Sequence, residues 1–382
     1  MLSRYREWRG VWLALSIAVV VGIALVLSVG KIYSPAVIRA LNGSMKTEFN
    51  EKVLSSLATF DPEYFVTALA WSPDGKYLAA SVNGDVRVLI FDVDSREVVK
   101  SEWKPTTGGR SISFTPEGEY ILTPSSNYPD GKNDYSLILI DRRTGAFLQR
   151  VEGPYPGDRS FARRNVASKF ALSPDHKWLL AAVDLRNPGL ALYDLVTLTV
   201  TKTIPFPKGA DGIAWRPDSQ AVAIMAGGTV RWLSVPDLVE LQAFKYFDTG
   251  GSVVYSPDGK LLAVGRAAIN TPFDPKTLKR LPIHEGAQVK LIDSAGALIA
   301  SADIPLSNIA VYHLFFHNTL PILIGTANKC IFFWRYNSNS PLLLAPFDGI
   351  VTALAIDPSG DRIAVGYGQK LEILRINSDE LK

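Results

Sequence analysis

The chain has 382 residues, 47% of them apolar, and carries a formal net charge of +3 at pH 7. The apolar share is ample for a large core, whereas so small a charge leaves no concentrated basic face of the kind nucleic acid demands, and no nucleic-acid partner is expected. The one cysteine, Cys330, excludes an internal disulfide; set in the run Cys330-Ile331-Phe332-Phe333-Trp334, it reads as a small core residue.

Residues 1–10 hold Arg4, Arg6 and Arg9 and read as a short cytoplasmic N-terminus. Val11 to Val29 carries no charge. As a helix rising about 1.5 Å per residue it spans roughly the 30 Å hydrocarbon core of a bilayer, so a transmembrane helix (signal anchor) is expected over residues 11–30. Lys31 and Arg39 follow it more sparsely than the three arginines precede it. The positive-inside rule then puts the rest of the chain on the extracytoplasmic side, with a bacterial inner membrane and periplasm as the setting. Ser28 and Gly30 also supply the small residues of a cleavable signal peptide, although the apolar run exceeds a usual h-region. Residues 31–50 read as a tether, in which Ser34-Pro35 starts a short helix and Asn42-Gly43 ends it.

Beyond the tether one unit repeats. Val66 to Trp71 is an apolar run, Ser72-Pro73-Asp74-Gly75 a tight turn, and Tyr77 to Ala80 a second apolar run. Pro73 presets φ, Asp74 bonds back to nearby amides, and Gly75 takes the left-handed conformation that returns the chain. The turn recurs as Thr115-Pro116-Glu117-Gly118, Ser173-Pro174-Asp175-His176, Arg216-Pro217-Asp218-Ser219, Ser256-Pro257-Asp258-Gly259 and Asp357-Pro358-Ser359-Gly360. A seventh copy is degraded, with His317-Asn318-Thr319-Leu320 between Val311–Phe316 and Ile322–Gly325. Turn prolines fall about 40 to 43 residues apart where no long insertion intervenes, the interval of four-stranded propeller blades.

Each copy leads into a third strand, often closing on an acidic residue, as in Val86 to Asp92 and Ser136 to Asp141. Most continue into a fourth, as in Glu97 to Trp103 and Leu238 to Phe247. The expected fold is all-β, a seven-bladed β-propeller of four-stranded blades over residues 51–382, preceded by the single N-terminal transmembrane helix. The last unit stops after its third strand, so the stretch 52–60, KVLSSLATF, is expected to supply the outer strand and close the ring.

The inner strand, its Ser-Pro-Asp-Gly turn and a third strand closing on an acid resemble the WD-repeat (WD40-like) propellers, from Glu51 to the C-terminus. The signature Trp-Asp is altered: Phe91, Ile140, Tyr193 or Ile292 precedes the acid, Trp334 is followed by Arg335, and the Gly-His pair before the inner strand is missing. The resemblance implies a non-catalytic scaffold for a protein or peptide partner, in a membrane-associated complex held by the N-terminal helix.

His313 and His317 have the spacing of paired zinc ligands but fall on a strand and its turn, so no metal site is expected of them. No Gly-x-Ser-x-Gly elbow, phosphate loop or haem-attachment motif occurs, and neither a catalytic residue nor a cofactor is assigned. The alternative is a propeller enzyme or small-ligand binder, lactonase-like or quinoprotein-like, with its site in the central channel, which fold alone does not separate from a scaffold. Loops joining second to third strands and loops joining successive blades share one face, here the top, and the long insertions fall there. They carry Tyr128, Asp130, Lys132, Tyr155, Arg159, Phe161, Arg163, Arg164, Phe273 and Arg280. Aromatics beside arginine are the composition of binding hot spots, so these are the expected partner-binding residues.

Overall fold

The computed structural model describes residues 47–83, 87–101, 111–125, 136–151, 169–183, 189–206, 209–266, 287–304, 311–338 and 340–381. They form seven sheets, six of them wholly antiparallel and one with a single added parallel strand. The first blade runs outward from Phe65–Trp71 through Tyr77–Asn83 and Val88–Asp92 to Val98–Lys100, and the next five repeat that order. In the seventh, Val351–Ile356, Arg362–Tyr367 and Lys370–Ile376 are completed by Leu54–Phe60, whose register sets Leu54 opposite Ile376 and Phe60 opposite Leu371. The ring is thereby closed between the two ends of the described chain.

The core is divided among the blade interfaces. Successive strand residues point to opposite faces of a sheet, and here both faces are covered, so the middle strands read as continuous apolar runs rather than alternating ones. In Trp178–Val183, Leu179 and Ala181 pack against the second blade while Leu180 and Ala182 pack against the fourth. Seven buried clusters result, one at each interface, including the first-to-seventh contact where Val66 and Leu78 meet Ala353 and Ala364.

The lower-face turns explain why each blade folds where it does. Ser72 donates its hydroxyl to Asp74 at 2.6 Å and accepts the Tyr77 amide at 2.9 Å, while Asp74 accepts the Lys76 amide at 3.1 Å. Ser173 with Asp175 and Ser256 with Asp258 repeat this geometry. The fourth position is left-handed in the six regular turns: φ is 69° at Gly75, 75° at Gly118, 60° at both His176 and Ser219, 71° at Gly259 and 85° at Gly360. A Cβ on Gly118 would sit 3.3 Å from Pro73, so neighbouring turns also nest around the axis.

In the degraded turn His317 stands in the serine's place and braces nearer amides: its Nδ1 accepts those of Thr319 and Leu320, both at 3.2 Å. Asp357 does so in the last turn, accepting the Gly360 and Arg362 amides at 3.0 Å each.

Two strand ends depart from the sequence expectation. Tyr120–Ser125 extends through Pro124, a residue whose missing amide hydrogen would ordinarily mark a strand end. Within the expected tether, Thr47–Phe49 is a strand that pairs in parallel with Leu342–Pro346, giving the sixth blade a fifth strand. A short 3-10 helix, Glu51–Val53, then carries the chain across to the seventh blade, capped by the Asn50 side chain accepting the Lys52 amide at 2.9 Å. The physical reason lies in the sixth outer strand, Leu342-Leu343-Leu344-Ala345, which is wholly apolar where each of the other outer strands carries polar or charged residues. An uncovered apolar sheet edge is unfavourable, and residues 47–53 cover it.

The expected transmembrane segment, residues 11–30, lies outside the described residues. Among the described residues no helix is long and apolar enough to cross a membrane.

Candidate functional site

Inner strands begin at the top face, after the loop from the preceding blade. On the sixth, seventh and first blades these beginnings expose a run of large apolar side chains: Tyr312 (58% exposed), Ile350 (56%), Phe65 (48%) and Tyr64 (36%). Three consecutive inner-strand ends are involved, so the four lie on adjoining sectors of one rim around the channel mouth. Large apolar side chains exposed on neighbouring sectors of one face cost solvation unless a partner covers them.

The backbone beneath these residues is held in place. The Phe347 amide donates to the Lys329 carbonyl and the Val351 amide to the Asn328 carbonyl, both at 2.7 Å, pinning the loop that carries Ile350 to the sixth blade. A Cβ on Gly349 would meet the Gly368 amide nitrogen at 2.9 Å, so the same loop lies directly on the seventh-blade turn. At the first blade, Glu63 has φ 64°, its amide donates to Asp61 at 2.9 Å, and its carboxylate pairs with Lys100 at 2.7 Å. Pre-set anchors of this kind lose little entropy when covered.

Below the rim, the Nδ1 of His313 is 3.1 Å from the Thr326 hydroxyl. Burial, with Lys169 nearby, pushes the His313 imidazole down to about 4, so it is neutral at physiological pH. Asp211 accepts the Gly227 amide at 2.8 Å. Among the described residues no three His, Cys, Asp or Glu side chains gather in a way that could hold a metal ion. Cys330 is 4% exposed and burial pushes its thiol up to about 11, which fits an inert core position.

The residues expected from sequence to bind the partner, Tyr128, Asp130, Lys132, Tyr155, Arg159, Phe161, Arg163, Arg164, Phe273 and Arg280, all lie outside the described residues. Sequence reasoning missed Tyr64, Phe65, Tyr312 and Ile350 because each sits at a strand end, where an apolar residue reads as part of the core pattern. The available signal was excess: Tyr64-Phe65 lengthens an apolar run beyond what one blade needs.

Residues 54–88 match the family described as WD domain, G-beta repeat. An uncharacterised WD repeat-containing protein of Schizosaccharomyces pombe is 49% identical over 61 residues, 16% of this chain and 10% of that one. The match thus spans about a tenth of that curated relative's length. A chain in a solved structure described as the crystal structure of the mitotic checkpoint complex is similar with a TM-score of 0.66 and 16% identity, over 86% of this chain and 93% of that one. At that identity the likeness is one of fold. Sheet order and the match over residues 54–88 together define the class: a seven-bladed β-propeller bearing a WD40 repeat.

Proposed function

We propose that this chain is a membrane-anchored, non-catalytic propeller that holds a protein or peptide partner on its top face, on the extracytoplasmic side. The observation that carries the reading is the rim of Tyr64, Phe65, Tyr312 and Ile350, large apolar side chains exposed on a braced backbone. Membership of the similar propeller chain in a multi-protein complex supports a protein partner over a small ligand. The anchor rests on the uncharged run Val11 to Val29 and the arginines before it. Thr47 pairs with Leu342 at the lower end of the sixth outer strand, so the described chain begins at the lower rim, and an anchor there would leave the top face pointing away from the bilayer.

Partner capture from detergent-solubilised membranes tests this. Ile350→Asp with Phe65→Ala should reduce the recovered partner about tenfold or more, a loss typical of hot-spot truncation, while thermal unfolding stays unchanged. Undiminished recovery by the folded variant would remove the rim from the account.

A further inference from the structure

Sheets radiating from an axis leave wedges between their outer edges, and the wedge between the sixth and seventh blades is bridged by Glu51–Val53. Val53 is fully buried there, among Phe333, Ala345, Leu374 and Ile376. Above this bridge, towards the top face, a groove of about 210 Å³ remains. Its apolar floor includes Leu54, Ala345, Phe347, Tyr367 and Leu374, and its rim carries Glu51, Asp348 and Glu372. Small-molecule sites are usually larger, about 300 Å³ and upward, so this is a recess for a side chain rather than for a whole ligand.

The charge of the groove runs against that of the molecule. The whole chain is +3, yet the lining residues include three carboxylates and no cation. Two lysines stand at its edge: Lys370, 3.7 Å from the Asp348 carboxylate and 5.6 Å from the Tyr367 ring centroid, and Lys329, whose Nζ donates to the Asp348 carbonyl at 3.2 Å; these exposed, hydrated contacts leave the three-carboxylate rim with a net negative charge. Burial pushes the Tyr367 hydroxyl far up, with Glu372 beside it adding to the effect, so the phenol stays protonated. Phe347 packs on Tyr367 with ring centroids 4.9 Å apart, which fixes the floor.

The groove is also continuous with the top-face rim. Phe347 and Asp348 belong to the same braced loop as Ile350. We infer that the partner held at the rim continues over this loop as an extended segment, placing an apolar side chain on the Phe347–Tyr367 floor and a Lys or Arg against Glu51, Asp348 and Glu372. This rests on the reading that the top face holds a partner, and it names that partner's chemistry: a peptide segment that is apolar and basic.

A display library of random short peptides, selected on the immobilised full-length protein in detergent, supplies the probe. Enriched peptides should pair an aromatic or aliphatic residue with nearby Lys or Arg. Glu51→Lys with Asp348→Lys, both at exposed positions, should weaken their binding about tenfold, and added salt should weaken binding to the unmodified protein in the same direction. Peptides lost on Ile350→Asp but indifferent to the charge reversals would overturn the groove and keep the rim. Peptides indifferent to both would overturn the two together. Enrichment of acidic or uncharged peptides, no enrichment at all, or a dimer of the chain that dissociates on Glu51→Lys would each overturn the inference.

Discussion

Single side chains in the lower turns decide whether a blade closes, and Asp357 is the most committed of them. It is 2% exposed, pairs with Arg362 at 3.0 Å, and accepts the Ser359 hydroxyl at 2.8 Å. Arg362 in turn donates to the Gly75 carbonyl at 2.8 Å and lies 4.8 Å over the Trp71 ring, so one carboxylate supports the seventh-to-first seam. Burial pushes the Asp357 carboxyl up, but the Arg362 amide, the Ser359 hydroxyl and the Arg362 guanidinium outweigh it and hold the group below its usual range. A folded value below the unfolded one of about 3.9 contributes stability that is present above that pH and lost as pH falls through the folded value. Asp357→Ala should therefore cost about 3 to 5 kcal/mol at neutral pH, by leaving a half-buried Arg362 unpaired. Denaturant titrations should show this cost shrinking in acid below about pH 4; a loss independent of pH would contradict the assignment. The turns were legible in sequence because Pro, Asp and Gly act locally. His317 and Asp357 were harder to read, since each replaces a serine with a different acceptor: Asp357 takes the amide five residues on, as the serines do, and His317 the amides two and three residues on.

Elements were read from sequence less evenly. Middle strands stood out because both faces are buried, as in the wholly buried Ala221–Ala226. The strand Thr47–Phe49 did not, because three residues show no period and its partner is remote in the chain. Its trace was in the partner, the apolar Leu342-Leu343-Leu344 on what would otherwise be an open edge. The strap that follows ties the two blades where the ring closes: Asn50 donates to Glu380 at 3.0 Å, and the Asn377 amide donates to the Val53 carbonyl at 2.9 Å. Val53→Ala should lower stability by about 2 kcal/mol, as truncation of a fully buried aliphatic side chain does. Amide exchange should then quicken first in Leu54–Phe60 and Lys370–Ile376. Equal quickening in all seven blades would show that the strap is not a local staple.

At the scale of the whole molecule, seven interfaces of similar construction make a rigid ring, and rigidity makes its two faces different tools. The lower face is spent on turns: its carboxylates at Asp74, Asp175 and Asp258 are all engaged by serine hydroxyls. The top face leaves Tyr64, Phe65, Tyr312 and Ile350 uncovered. Ring architecture was legible from turn spacing, because a repeat of four strands has few ways to bury both faces of every sheet. The rim was not, because exposure depends on which strand end meets solvent, and that is fixed only once all seven blades are placed. Site-specific photo-crosslinking in intact cells separates the faces most directly, with the photoreactive residue at Ile350 or at Val196, an 85% exposed side chain on a lower turn of the third blade. A discrete protein adduct at position 350 and none at position 196 is the predicted result. Adducts at 196 alone, or equally at both, would contradict a partner held on the top face.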